Sequence, residues 1–428
     1  MDEATQNLKI CIIGAGMGGL TCALALANAG FKNIQVYEFA SNLGFVGAGI
    51  QLAPNMARIL DNLGVWADIE KEAVDLKDTS IREGATDKEL AHVDLRYIRG
   101  TYKYPHMVGH RSSLANALYE GCKRAEKSIQ FFFSTNVEKV KTFAPKPSFT
   151  AIPRKGGDPY EVEADVLLGA DGVKSKTRVE MLKELGIHAE VKDTQQAAYR
   201  IMLRREEMQH DPELLELINT DGVIRWIGEK RHIIAYPVSN KNIYNISTIQ
   251  PDVFSDFCPM IHRMLNLVPE GEVCEWKLRV HAPLPTWVHG SVALVGDACH
   301  PTLPHLAQGA AQAIEDGAVI GVVLSRLPDL SPESINKALR VYEKVRKERA
   351  EKLVELAAAS GRALHLGEGE AKAERDRQFA ALKEGKGSVP DKWADADVQK
   401  YIYGVDVTQI AQDTFQEVFR GMSTAARM

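Results

Sequence analysis

The first residues able to do chemistry lie in CIIGAGMGG, where Gly14, Gly16 and Gly19 stand between an apolar run and a second one that ends at Glu38. Glycine at the first place permits a tight turn, at the second lets backbone approach a pyrophosphate, and at the third lets a helix pack on a strand. The turn amides and the helix N-terminus then face an anion. Glu38 lies 19 residues beyond Gly19, where a carboxylate can accept from both hydroxyls of a ribose and disfavours a 2′-phosphate. Strand, turn, apolar helix, Gly30 near its end, second strand and acid together predict a bound adenine dinucleotide, with FAD and NAD both open at this point. Two further carboxylates end apolar strands: Asp171 in ADVLLGADGVKSKTR and Asp297 in SVALVGD. After Asp297 come prolines and histidines, then a helix with Gly309, Ala310, Ala311 and Ala313 in its first turns.

In that order, GxGxxG, then Asp-Gly, then Gly-Asp followed by proline and a Gln-Gly helix, the sequence resembles the single-component flavoprotein aromatic hydroxylases of the para-hydroxybenzoate hydroxylase fold. The match runs from about residue 8 to 365 and is closest to the salicylate hydroxylase-like branch. The resemblance implies FAD as cofactor, with NADH or NADPH as a transient co-substrate. A second complete fingerprint is missing, since GEGEAK near Gly367 lacks the third glycine and the strand. It implies that Asp297 accepts from a ribityl hydroxyl and that Asp171 belongs to the cofactor site. Gly309 and Ala310 would let the helix N-terminus reach the flavin edge, where its positive pole, about half an elementary charge, stabilises the reduced ring. Residues 47–64, with Gly49, match the family's flavin-side loop and helix, and HRSSLANAL supplies Arg111 as an FAD contact.

The same resemblance implies flavin reduction, capture of O2 as a C4a-hydroperoxide, and oxygen transfer to an electron-rich aromatic ring. A phenol titrates near 10, so a base that shares its proton activates the ring. His232 and Tyr236 in RHIIAYP match residues that face the aromatic substrate, and histidine is a suitable acceptor near neutral pH. Four apart on a strand, they share a face but sit roughly 13 Å apart, reaching opposite ends of one ring. Arg200 in AAYRIML aligns with a substrate-binding or flavin-positioning arginine and could hold a carboxylate or phenolate by paired hydrogen bonds. Set against these are a histidine merely satisfied on a sheet and a solvent-facing arginine. His305 stands before the flavin helix where the family usually has another residue. Cys299 beside His300 is not expected to form a dyad, because neighbours on a turn point apart.

The expected activity is an FAD-dependent monooxygenase that uses NAD(P)H and O2 on a phenolic acid, with salicylate and loss of carbon dioxide as the leading case. An alternative is hydroxylation or epoxidation of a larger polyketide- or alkaloid-like molecule. A remote one is a non-catalytic binding protein like the Rab GDP-dissociation inhibitors, which predicts loss of the Asp297 motif. A flavin halogenase is disfavoured because WxWxIP is absent.

These residues require an α/β fold: a Rossmann-like FAD-binding domain from 1–80, 105–185 and 285–365, interleaved with a mixed-sheet substrate domain from 81–104 and 186–284. A C-terminal helical extension covers 366–428. HIIAYPV and IYNISTI alternate as half-covered strands. Ser331, Pro332 and Glu333 open a long helix with Ile335, Leu339 and Tyr342 on one face; the charge run from Lys344 to Lys352 reads as its solvated side. The stretch from Glu368 to Pro390 reads as a loop-rich connection, and Trp393, Tyr401, Ile402 and Tyr403 as an aromatic group docked on the body. With 428 residues, 45% apolar, and a net charge of -5 with scattered basic residues, the chain offers no footprint for nucleic acid and predicts a small partner. Six cysteines without CxxC spacing argue for reduced thiols in the cytoplasm, without disulfides or a metal site. No apolar run is long enough for a membrane span beyond the glycine-rich Ile10–Asn28, which the fingerprint explains. Oligomeric state is open.

Overall fold

The computed structural model describes residues 1–44, 48–249, 254–269, 271–383 and 390–425. Lys9–Ile13 is apolar at nearly every position because helices cover both faces of its sheet, and it pairs in parallel with Val166–Gly169 on one side and Asn33–Tyr37 on the other. Val292–Leu294 and Ile129–Phe132 extend the parallel sheet, and Val288–His289 closes one edge as an antiparallel hairpin. A three-stranded antiparallel sheet, Thr135–Thr142, Ser148–Pro153 and Tyr160–Glu163, stands beside it.

The helix Met17–Asn28 follows the glycine turn, and Gly309–Leu324 packs across it. The small residues of the second helix are explained in part by this crossing. A Cβ on Gly317 would lie 2.7 Å from the Cys22 amide, and one on Gly321 3.0 Å from Ala25 Cβ. Bulk there would drive the helices apart.

The second sheet has seven strands in the order Cys274–Val280, Lys192–Arg204, Ile243–Ile249, Arg231–Val238, Gly222–Gly228, Asp78–Glu83, Glu89–Asp94. Asp78–Glu83 runs parallel to Gly222–Gly228 and the other pairs are antiparallel. A small sheet of Gly49–Leu52, Met107–His110 and Val74–Asp75 brings Gly49 opposite His110, next to Arg111.

Ser331 caps the helix Pro332–Leu364, whose 33 residues span about 50 Å. Ile335, Leu339 and Tyr342 are buried as expected. The charge run is not simply solvated: Arg346 and Arg349 are buried, because the acidic pair Glu315 and Asp316 in the apolar helix beneath requires cations. The loop-rich reading of 368–390 is also corrected. Glu370–Lys383 is a helix, its Ala, Glu, Lys, Arg and Gln content favouring that state, with Phe379 buried against Ile81 and Ala91. Residues 384–389 lie outside the described residues. Trp393, Ile402 and Tyr403 dock in the body, whereas Tyr401 is exposed. No helix among the described residues is long and apolar enough to cross a membrane.

Candidate cofactor and substrate site

The glycine turn has the geometry its spacing implies. Gly14 adopts φ +99°, and a Cβ there would fall 2.4 Å from the Ala170 carbonyl oxygen; one on Gly19 would fall 2.0 Å from that of Gly14. Both glycines are therefore demanded by the protein itself. Gly16 is not: its φ is −72°, and a Cβ would meet nothing within 4 Å. The glycine is kept where only a ligand would need the room, at the N-terminus of a helix without a side-chain cap. That open cradle fits a pyrophosphate.

Gly14, Gly16, Glu38, Asp171, Lys174 and Lys176 line one cleft. Glu38 accepts from the Ala15 amide at 2.8 Å and the Ala40 amide at 2.7 Å, one on each oxygen, so it shapes the turn while retaining lone pairs for a ribose. Asp171 accepts from Ser175 Oγ at 2.5 Å and from the Thr177 amide and hydroxyl, both at 3.0 Å. It thus braces the start of the helix Lys176–Glu184. From that helix, buried Arg178 donates to the Ala298 carbonyl at 3.0 Å, tying the second motif to the third. A Cβ on Gly18 would touch Val295 and Ala313, tying the first motif to the third as well.

Asp297 does not line the cleft around Gly16; it stands two residues beyond Val295, with its side chain open to the surface. The protein packed around it raises its carboxyl pKa, against the opposing pulls of His300 and Arg111. Gly309 begins a 16-residue helix that has no side-chain cap, so the amides at Gly309 and Ala310 are free to meet an anion. Burial lowers the Arg111 pKa, aided by Arg200 and opposed by Asp297.

Gly49 ties the small sheet to the seven-stranded one. Its amide donates to Asn245 Oδ1 at 2.7 Å, and its carbonyl accepts from Arg200 Nη1 at 3.3 Å. A Cβ would fall 2.4 Å from Asn245 Cγ and 2.7 Å from Tyr236 Cε2. Gly47, the first residue of the predicted flavin-side segment, lies outside the described residues. Burial pushes the Tyr236 phenol up to about 12 despite Arg200, so Tyr236 stays a hydrogen-bond donor at neutral pH. Among the described residues neither Arg111 nor Arg200 forms an ion pair with a carboxylate within 4.0 Å.

His232 is brought not to Tyr236 but to two other histidines. Its Nδ1 lies 2.6 Å from His365 Nε2, and its ring meets His305 edge-on at 5.4 Å. Burial, then His365, His305 and Arg225, hold its pKa well below the ordinary histidine value. Cys299 Sγ and a His300 ring nitrogen lie within 4.8 Å of each other beside Asp316, but each is engaged elsewhere: the thiol donates to the Gly296 carbonyl at 3.4 Å, and His300 Nε2 lies 2.6 Å from Asp316. Sequence reasoning missed Asn245 and His365. Asn245 sits opposite Tyr236 in the strand register, a pairing that only the sheet order reveals.

Residues 7–357 match the family described as FAD binding domain. The chain is 30% identical to the FAD-dependent monooxygenase OpS4 of Beauveria bassiana, over 96% of this chain and 98% of that protein. It is 32% identical to 3-hydroxybenzoate 6-hydroxylase 1 of Aquipseudomonas alcaligenes, over 79% and 84%. A salicylate hydroxylase solved as a substrate complex shares the fold, with a TM-score of 0.75 at 22% identity over 95% of this chain and 98% of that one. With the three motifs tied together and the Gly16 cradle left open, the chain belongs to the FAD-binding-domain family, as an FAD-dependent monooxygenase of the aromatic hydroxylase type.

Proposed function

We propose that this monooxygenase uses NADH or NADPH and O2 to hydroxylate a phenolic aromatic acid, with salicylate and its decarboxylative hydroxylation as the leading case. The observation that carries the reading is the pair Arg111 and Arg200, whose charges repel each other, with Arg200 on the Gly49 carbonyl and neither in ion-pair range of a carboxylate among the described residues. A desolvated Arg111 beside a second guanidinium favours an anionic ligand, and a planar guanidinium binds a carboxylate by two parallel hydrogen bonds. The similarity to a 3-hydroxybenzoate hydroxylase supports the same class of substrate.

FAD, when bound, supplies the electrons and the activated oxygen. The Gly14–Gly19 turn, Glu38 and the Gly309 helix N-terminus would hold it, with Asp297 beside its ribityl chain and Arg111 near the same group. Arg200 would hold the substrate carboxylate and Tyr236 donate to it or to a ring substituent. His232, neutral at physiological pH, would accept the phenolic proton. Its depressed basicity means that it cannot keep that proton.

The test is turnover of purified, FAD-loaded protein with either nicotinamide and with salicylate, 3-hydroxybenzoate and 6-hydroxynicotinate, followed by mass identification of products. One acid should accelerate nicotinamide oxidation and gain a hydroxyl. Oxygenation of larger polyketide- or alkaloid-like compounds, and of none of these acids, would move the assignment to that alternative.

A further inference from the structure

The long helix Pro332–Leu364 ends between the seven-stranded sheet and the Pro304–Leu306 turn that precedes the Gly309 helix. Its C-cap residue is His365. The His365 carbonyl accepts from the Lys230 amide at 3.0 Å, in the turn just before the strand Arg231–Val238, so the helix end is latched to the hairpin that carries His232. One turn earlier stands Gly361, where a Cβ would lie 2.5 Å from His305 Cδ2. The final turn therefore provides both a socket for His305 and an imidazole for His232. Deep burial of His232 and His305 beside half-buried His365, with His305 Nδ1 left without a partner, is costly unless the cluster is used.

We infer that His365 is the proton partner of His232: a phenolic proton taken at His232 Nε2 is matched by one passed from His232 Nδ1 to His365 Nε2, and by one released from His365 Nδ1 to solvent. The inference rests on the proposed phenol-hydroxylating function. The phenol O–H bond breaks and a His232 N–H bond forms. Each imidazole gains a proton on one nitrogen and loses one from the other, no electrons move, and the trio ends neutral. The geometry suits each step. With Nδ1 engaged at 2.6 Å, Nε2 is the nitrogen left to His232 for a ligand. His365 is only half-buried, unlike His232 and His305, and so marks the route to water.

The charged group bearing on all three rings is Arg225, itself paired with Asp391 at 2.7 Å. Arg225 and the mutual repulsion of the rings oppose any lasting positive charge, which drives a captured proton onward. The three rings place nitrogens within 4.8 Å of one another, as metal ligands would. The same Arg225 repels a metal cation. His365 is thus a positioning and proton-passing residue that acts through His232.

The experiment compares full-length, FAD-loaded wild type with His365→Ala and His365→Gln. Retention of FAD and an unchanged melting temperature establish that the variants fold. Without nicotinamide, binding of 3-hydroxybenzoate to the wild type should produce the phenolate difference absorbance below the free phenol's titration range. In His365→Ala that band should shift upward by at least a pH unit. Turnover should fall about 10- to 100-fold with KM within about threefold, and imidazole should partly restore it. Equal phenolate formation, pH profile and turnover in wild type and variants would overturn the inference.

A wild type that neither binds nor oxygenates a phenolic acid would sink the functional reading, and nitrogen-15 histidine spectra then decide separately about His365. The relay predicts that His232 carries its proton on Nδ1 in the wild type and redistributes it in His365→Ala. A proton on Nε2 in both, or stoichiometric binding of zinc to the trio, overturns the assignment.

Discussion

Gly16 separates a ligand's requirement from a protein's requirement. In Gly16→Ala the new methyl occupies a position with nothing within 4 Å, at a backbone φ of −72° that alanine adopts readily. The apoprotein should therefore be unchanged or slightly more stable, by about 0.4–1 kcal/mol, since alanine restricts the unfolded chain more than glycine. The same methyl stands where a pyrophosphate must approach the helix N-terminus. Loss of one hydrogen bond to a charged group is worth about 1.5–3 kcal/mol. At about 1.4 kcal/mol per decade this weakens FAD about 10- to 150-fold. Gly19→Ala serves as the contrast, because its methyl would lie 2.0 Å from the Gly14 carbonyl oxygen and should disrupt the fold itself. The assay is titration of apoprotein with FAD, followed by the change in flavin fluorescence, alongside urea unfolding of the two apoproteins. An FAD affinity within twofold of wild type, or an apoprotein clearly destabilised by Gly16→Ala, would show that the space beside Gly16 is not kept for the ligand.

Three other outcomes are expected. Arg200→Met should raise KM for a carboxylated substrate about 10- to 150-fold, the worth of a charge-assisted pair, and change binding of the corresponding uncharged phenol much less; steady-state kinetics on the two decide it. Arg349→Met should destabilise the chain by about 3–5 kcal/mol in denaturant melts, because Arg349 bonds both oxygens of buried Glu315 and also the Tyr401 and Ile402 carbonyls. Buried His106 and His305 have pKa values lowered to about 3 from 6.5, so between these limits the unfolded chain binds more protons than the folded one. Their contribution is intact above about pH 6.5 and lost as pH falls, by about 1.4 kcal/mol per histidine per pH unit; a stability that stays flat from pH 7 to 5 contradicts this.

The cofactor half was legible because its signals are local. Gly14, Gly16, Gly19 and Glu38 lie within one strand-helix-strand unit, and Ser331-Pro332 announces its helix within two residues. What escaped depends on elements far apart in sequence. His365 matters only because the helix end is latched to Lys230, which no periodicity encodes. Arg346 and Arg349 looked like a solvated charge run because their partners, Glu315 and Asp316, lie about 30 residues earlier in a helix otherwise apolar. That acidic pair was the available signal, since two carboxylates in so apolar a helix need buried cations. The helix Glu370–Lys383 was hidden by its polarity, though its strong helix formers outweigh its weak apolar face. Gly309, Ala310, Ala311 and Ala313 were read toward the flavin; Gly317 and Gly321, further along the same helix, serve the contact with Met17–Asn28, which depends on how the two helices cross. The Gly49–Asn245 bond joins residues 196 positions apart and follows from sheet order alone.

The most direct test is turnover under oxygen-18 gas with nicotinamide and the phenolic acid that most accelerates its oxidation. One oxygen-18 atom should enter the aromatic product per nicotinamide consumed. Nicotinamide oxidation that yields only hydrogen peroxide with every phenolic acid, or a product whose new oxygen comes from water, would contradict it.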